Sequence, residues 1–470
     1  MLTSTRWGFS LMSCPSYNIR KAKRCAEEAT AVLTEAKFKE RTLAVRALAE
    51  GKMKDSKQIQ RRQFNRWLVS ASLIPMAGKA LVLEASRPKP RIAVVGAGIV
   101  GSAITYHLAK QGLDVTLLDR NAVASASSHG TFAWINASWA KQPESYHALN
   151  QMGVDAWHRL QRALNLPVKW GGSLEWFAAP ERQDRLARDV QEQQAWGEPA
   201  RMLTELEALA LEPRVAFGGA GRVALSPRDG ALDPVLVSQL LVNAAKNYGA
   251  RVIEHCELLR VDETTEDQRQ KILGTSCGDM AFDRFVLATG ADPSAIHSFA
   301  GFDLPQRSTP GVIVVTHPIP PVLSHIVVAP GIHIHQRLDG RLVLGEQEGA
   351  PENAAHKLRL TARPTRFPSK ATASQHAQRL ITLARQYVTG LPEVKVEEVI
   401  IGWRPLPLDG HPVIGPSPAD PNAYVAVMHS GVSLAAIVGE LVAEELLTGV
   451  RAPALAPFRA DRAFEPVRRY

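Results

Sequence analysis

From Arg91 onward the apolar residues fall into short unbroken runs separated by helical periods. Ile92–Val95 is four apolar residues in a row, too short for a helix and suited to a strand buried on both faces of a parallel sheet. It leads through a glycine-spaced turn into an amphipathic helix ending near Leu108, then into a second strand-like run, "DVTLLDR". "LSPRDGALDPVLVSQLLVNAAKNYGARV" reads as a further helix and strand, and "FDRFVLATGA" and "AYVAVMH" as two more buried strands. The last of these turns at Ser430-Gly431 into the helix "VSLAAIVGELVAEELL". Strand-helix-strand alternation of this kind predicts an α/β chain.

The first turn carries the chemistry. Gly96-Ala97-Gly98-Ile99-Val100-Gly101 gives a tight turn at its first glycine, close backbone approach to a pyrophosphate at its second, and helix-on-strand packing at its third. The helix start offers free N–H groups to phosphates. Asp119, 18 residues beyond Gly101 and followed by Arg120, ends the next strand, where a carboxylate can hold ribose hydroxyls. The spacing predicts a dinucleotide site. The loop "NAVASASSHGTFAW", with Ser127, Ser128 and His129, is unlike the regular continuation of an NAD site, and its small residues let a long cofactor lie against backbone. Ala288-Thr289-Gly290 marks a second close approach.

These pieces, with Gly402-Trp403-Arg404-Pro405 and "DGHP" near the end, resemble the flavin-dependent amine oxidoreductases related to D-amino-acid oxidase, glycine oxidase and monomeric sarcosine oxidase. The resemblance spans about residues 91–455 and implies FAD as cofactor. It implies a discontinuous Rossmann-like FAD-binding domain (91–150, 221–300 and 401–455) and an α+β substrate domain with a mainly antiparallel sheet (151–220 and 301–400). Residues 456–470 are expected to be a tail. Cofactor contacts are expected from the glycine fingerprint, Asp119, Arg120, Ser127, Ser128, His129, Leu258, Ala288, Thr289, Gly290, Gly402, Arg404, His429, Gly431, Val432 and Ser433.

The implied reaction moves hydride from a carbon next to nitrogen to flavin, with an imine then hydrolysed by water. Arg404 matches the position where glycine-oxidase-like relatives grip the substrate carboxylate; the other reading is a structural ion pair. His429 stands in the turn where relatives aim backbone donors and a helix N-terminus at the flavin's pyrimidine end. Trp403 is a cavity wall or plain core. His129 is the loop residue expected near the flavin ring, with non-covalent FAD favoured over attachment through it. His333 and His335, two apart in a strand-like run, share a face that either looks into the cavity or is solvated; His335 is taken as a candidate catalytic residue. His411 is read as a turn residue. No general base stands out, which hydride transfer from a neutral amine tolerates. Oxidation of a hydroxy acid or polyol phosphate, or a non-catalytic nucleotide-binding subunit, are the rival readings; oxygen or a quinone is the expected electron acceptor.

The formal charge of +9 changes meaning once located. Residues 1–90 hold 18 Lys+Arg and 7 Asp+Glu, leaving 37 and 39 for residues 91–470, so the body is not basic and presents no nucleic-acid stripe. Within the front segment, Arg61-Arg62 with Phe64 and the uncharged run Trp67–Gly78 resemble a twin-arginine export signal over about 53–85. A basic linker is the alternative. A start at Met53 would give a signal of ordinary length, with residues 1–52 an upstream extension. Export of a folded flavoprotein places it in the periplasm; the cytoplasm is the alternative. No apolar run reaches the length needed to span a bilayer, which leaves peripheral membrane contact open. Cys256 and Cys277, expected to be buried thiols, form no metal motif, and no metal site is expected.

Overall fold

Ile92 and Val94 face one side of the first strand and Ala93 and Val95 the other, and all four are buried. Helices must therefore cover one face and a second layer the other. The computed structural model describes residues 89–136, 141–263, 270–346 and 364–466; the expected export segment 53–85 lies outside them. Six strands form the central sheet in the order Val413–Pro416, Ala423–Val427, Arg284–Leu287, Arg91–Val95, Asp114–Leu118, Arg251–Ile253. All pairs are parallel except the Val413–Pro416 edge. On one face lie the fingerprint helix Ile99–Lys110, the helix Pro234–Asn247 and the C-terminal helix Gly431–Thr448. The last can lie flat on the fingerprint helix because a Cβ at Gly439 would sit 2.9 Å from the Ala103 carbonyl oxygen. The other face carries an antiparallel triplet, Leu258–Glu263, Lys271–Thr275 and Gly278–Phe282, with the short helix Pro293–Ala300.

The second lobe is an eight-stranded sheet in the order Val396–Pro407, Gln306–Thr316, Leu342–Glu346, Ile332–Gln336, Ile326–Ala329, Ser173–Glu175, Arg222–Ser226, Arg201–Thr204. One pair, Ile326–Ala329 with Ser173–Glu175, is parallel and the rest are antiparallel. The helix Lys370–Tyr387 buries Leu380, Ile381 and Ala384 on one face of this sheet. The opposite face looks toward the nucleotide lobe.

The expected domain boundaries move in three places. Arg222–Ser226 and the Arg404 strand, Val396–Pro407, belong to the eight-stranded sheet. The helix Glu144–Leu164 instead packs on the C-terminal helix, with Trp157 fully buried and donating to the Val432 carbonyl. An apolar run states that a strand is buried but not which sheet it joins. The expected tail is tied down as far as Phe464: Phe458 is buried, Arg459 pairs with buried Glu445, which also accepts from Tyr424, and Phe464 packs on the core beneath the central sheet. Cys256 is buried as expected, but Cys277 is exposed, because the run "TSCGD" is a turn between two strands.

Candidate active site: a nucleotide cradle opening on a glycine-floored chamber

One continuous cavity of about 1310 Å³ runs between the lobes, from Asp119 at one end to Arg404 and the Pro180–Ala195 helix at the other. Its nucleotide end is built by missing side chains. Gly96 has φ +105°, and a Cβ there would lie 2.4 Å from the Ala288 carbonyl oxygen. A Cβ on Gly101 would lie 1.8 Å from the Gly96 carbonyl oxygen, so this third glycine serves helix-on-strand packing and does not itself line the cavity. Gly98, Ile99 and Val100 do line it, as do Ala288, Thr289 and Gly290.

Asp119 closes this end. Its Oδ2 accepts from the Ala97 amide at 2.7 Å and its Oδ1 from the Asn121 amide at 2.8 Å, so Ala97 contributes by orienting the acid. Burial holds the Asp119 pKa above the ordinary carboxylate value. Arg120 stands at the rim, 3.4 Å from Asp292, and Leu258 forms wall. Ser128 Oγ accepts from the Ile99 amide at 2.9 Å, so the cofactor loop caps the fingerprint helix from a distance of 29 residues. A glycine cradle, a helix start and an oriented carboxylate together fit an adenine dinucleotide.

At the far end the same loop is pressed onto the Arg404 strand. A Cβ on Gly402 would lie 1.7 Å from the Gly130 carbonyl oxygen, and Ser127 Oγ donates to the Trp403 carbonyl at 2.8 Å. Trp403 is both core and cavity wall: it is 5 % exposed, its indole N–H donates to the Pro364 carbonyl, and it lines the cavity. His129 does not face the cavity: its ring turns out to Glu398, with Nε2 3.0 Å from the carboxylate. Phe132 and Trp134 take the inward positions that the sequence suggested for His129.

The C-terminal helix starts at this end. Ser430 is its N-cap and shares a 2.8 Å hydrogen bond with Tyr146, while Gly431 keeps the helix start within reach of Val100. Ser433 Oγ accepts from the Asn136 amide, and His429 and Val432 line the wall beside it. Lys141 was not legible in the sequence. It is buried, lines the cavity, and donates to the Asn136 carbonyl and to Asn150 Oδ1. His411 is a turn residue whose Nε2 bonds to the Gln142 carbonyl, and it too reaches the cavity wall.

Arg404 projects from the edge strand over Gly311, where a Cβ would lie 2.6 Å from Nη2. Nη1 donates to the Pro310 carbonyl at 2.9 Å, and among the described residues no carboxylate pairs with the guanidinium. His333 and His335 do share a face, as expected, but only His333 lines the cavity. His335 sits one pleat away beneath Phe132, its Nε2 donating to the Phe132 carbonyl at 2.8 Å, so it is a packing residue rather than a catalytic one. Burial pushes both imidazoles down to about 3. Among the described residues no cluster of His, Cys, Asp or Glu could hold a metal ion, and no helix is long and apolar enough to cross a membrane.

Residues 91–445 match the FAD dependent oxidoreductase family, DAO. The chain belongs to that family. It is an enzyme and its cofactor is FAD, for which the cradle around Gly96, Gly98 and Asp119 has the required form. Among sequence relatives, glycine oxidase of Geobacillus kaustophilus (strain HTA426) is 25 % identical over 384 residues, covering 79 % of this chain and 96 % of that protein. The crystal structure of glycine oxidase from Geobacillus kaustophilus superposes with a TM-score of 0.69 at 24 % identity, covering 81 % of this chain and all of that one. L-proline dehydrogenase from P. horikoshii gives a TM-score of 0.67 at 22 % identity, covering 78 % and 96 % of the two chains. The two-lobed fold with its roofing antiparallel sheet is therefore the family's.

Proposed function

We propose that this oxidoreductase removes hydride from the carbon next to nitrogen in an α-amino acid or N-substituted α-amino acid, whose carboxylate Arg404 holds. The observation that carries the reading is the Arg404 guanidinium itself: it lines the chamber, keeps one backbone partner, and has no described carboxylate to satisfy its remaining donors. Such a fork matches a carboxylate bidentately, and fixing the carboxylate fixes which carbon faces the ring. Glycine oxidase and L-proline dehydrogenase, by their names, act on a primary and a secondary amino acid, and they support this substrate class.

When bound, FAD supplies the hydride-accepting electronics. The protein's own residues position and shield. Gly311 leaves room for the Arg404 guanidinium and Gly345 for the Phe132 ring, Phe132 and Trp134 wall the chamber, and the start of the C-terminal helix at Gly431 aims backbone donors into it. Donors there favour negative charge arriving in the site. Electrons then leave to oxygen or a quinone, and the export reading of residues 53–85 assigns the reaction to the periplasm. Anaerobic addition of glycine, sarcosine, D-alanine and L-proline to the oxidised protein tests the substrate class. Bleaching of the flavin absorbance with release of ammonia or methylamine supports it, and bleaching only by 2-hydroxy acids or polyol phosphates refutes it.

A further inference from the structure

Arg404 and His333 enter the chamber from strands that are not neighbours. The guanidinium lies across the Gln306–Thr316 strand at Gly311, and the imidazole stands on the Ile332–Gln336 strand. Between them runs the Leu342–Glu346 strand, which at the pairing row Ile313, Gly345, His333 contributes only a glycine. Phe132 presses its ring edge onto that glycine, 3.3 Å from where a Cβ would be. Gly311 lies two residues from Ile313 along its strand, so two strand spacings across the sheet and one same-face repeat along it separate the backbones under the two groups, about 12 Å.

His333 makes no hydrogen bond with any described residue, and its Nε2 is buried without a partner. The ring is held edge-on by Phe132 and Trp134, with centroids 5.4 and 6.0 Å away. Burial first, and then the charge of Arg404, keep it neutral. A neutral imidazole has one N–H and one lone pair, and leaving a buried polar atom unpaired costs on the order of 1–3 kcal/mol. A bound donor would relieve that cost. An α-amino acid places its nitrogen roughly 3 Å from its carboxylate oxygens. With a hydrogen bond of about 2.9 Å at each end, it bridges about 9 Å, so the guanidinium and the imidazole need lean only a few ångströms toward each other from those backbones.

Resting on the Arg404 reading above, we propose that His333 is a positioning residue that accepts a hydrogen bond from the substrate N–H. It thereby selects primary and secondary α-amino acids over N,N-dialkylated ones, whose neutral amines have no N–H to give. No proton is transferred to the imidazole; its part is to turn the C–N bond and so set which hydrogen of the carbon faces the flavin.

The test uses the FAD-loaded protein and two ring carboxylates of one shape, pyrrole-2-carboxylate with an N–H and furan-2-carboxylate without, each titrated by its perturbation of the flavin spectrum. Wild type is expected to bind the pyrrole about three- to ten-fold more tightly, the range of one net hydrogen bond. His333→Phe should bring the ratio to about one while furan affinity stays within about two-fold; His333→Leu serves if phenylalanine hinders FAD uptake. His333→Gln, which keeps an acceptor, should restore the preference. Equal affinities in wild type, a preference that survives in His333→Phe, or a loss of both affinities together would overturn the role of His333. If furan-2-carboxylate binds without any pyrrole preference, only this inference fails; if neither acid binds wild type, the Arg404 clamp fails with it.

Discussion

A Cβ added to Gly311 would lie 2.6 Å from Nη2 of Arg404, so the position of the candidate carboxylate clamp depends on a side chain that the neighbouring strand does not have. Gly311→Ala should displace the guanidinium without emptying the core. Losing one charge-assisted pair costs about 1.5–3 kcal/mol, or roughly ten- to hundred-fold in substrate affinity. Steady-state kinetics should show that loss in KM, with the flavin spectrum and thermal midpoint little changed. An unchanged KM would mean that Arg404 does not touch substrate.

Gly402 and Gly130 meet backbone to backbone, and neither neighbour can move away as a flexible side chain could. Gly402→Ala is therefore expected to lift the cofactor loop off its strand and to cost several kcal/mol. The variant should purify with substoichiometric FAD and a thermal midpoint many degrees lower. Full FAD occupancy would show that the loop does not depend on this contact.

With His129 turned to Glu398, the described loop brings no imidazole to the chamber at that position. Acid precipitation of the yellow protein should leave the flavin in the supernatant. A yellow pellet, with flavin mass on a tryptic peptide containing His129, would contradict this placement.

How much of this was legible beforehand follows from what each residue depends on. The nucleotide end depends on spacing along the chain, and Gly96, Gly98, Gly101 and Asp119 stand in the structure where the spacing put them. The place of Arg404 on the cavity wall was legible because a local tetrapeptide carries it. The choice between His333 and His335 was not, because both share a face and only the Phe132 wedge, 203 residues from His335, separates them. Gly311 and Gly345 gave no signal either: a glycine in a strand acquires its purpose only from the register of the strand beside it. Lys141 is defined by Asn136 and Asn150, contacts that no periodicity encodes.

Buried neutral histidines also set the response to acid. His107, packed between the fingerprint and C-terminal helices, and the strand histidines His333 and His335 all have pKa values pushed by burial down to about 3, against about 6.5 when unfolded. Well above pH 6.5 all three are neutral in either state and their stabilising effect is complete. As pH falls from 6.5 toward 3, the unfolded chain takes up three protons on these residues that the folded chain refuses, so stability is lost. Each contributes a slope of about 1.4 kcal/mol per pH unit at most. Urea midpoints measured from pH 7 to pH 4.5 should fall steeply below about 6, and replacing His335 with a neutral side chain should flatten the slope by about a third of their joint contribution. A midpoint independent of pH across that window would contradict the burial of these rings.

The most direct measurement is an anaerobic titration of the oxidised, FAD-loaded protein with glycine, sarcosine, D-alanine and L-proline, run in parallel on wild type and Arg404→Met. The account predicts that at least one of these amino acids bleaches the visible absorbance of the wild-type flavin, and that Arg404→Met needs roughly ten- to hundred-fold more of it, in the range of a lost charge-assisted pair. A wild-type spectrum that none of the four changes, or a variant that bleaches at the same concentrations as wild type, would contradict it.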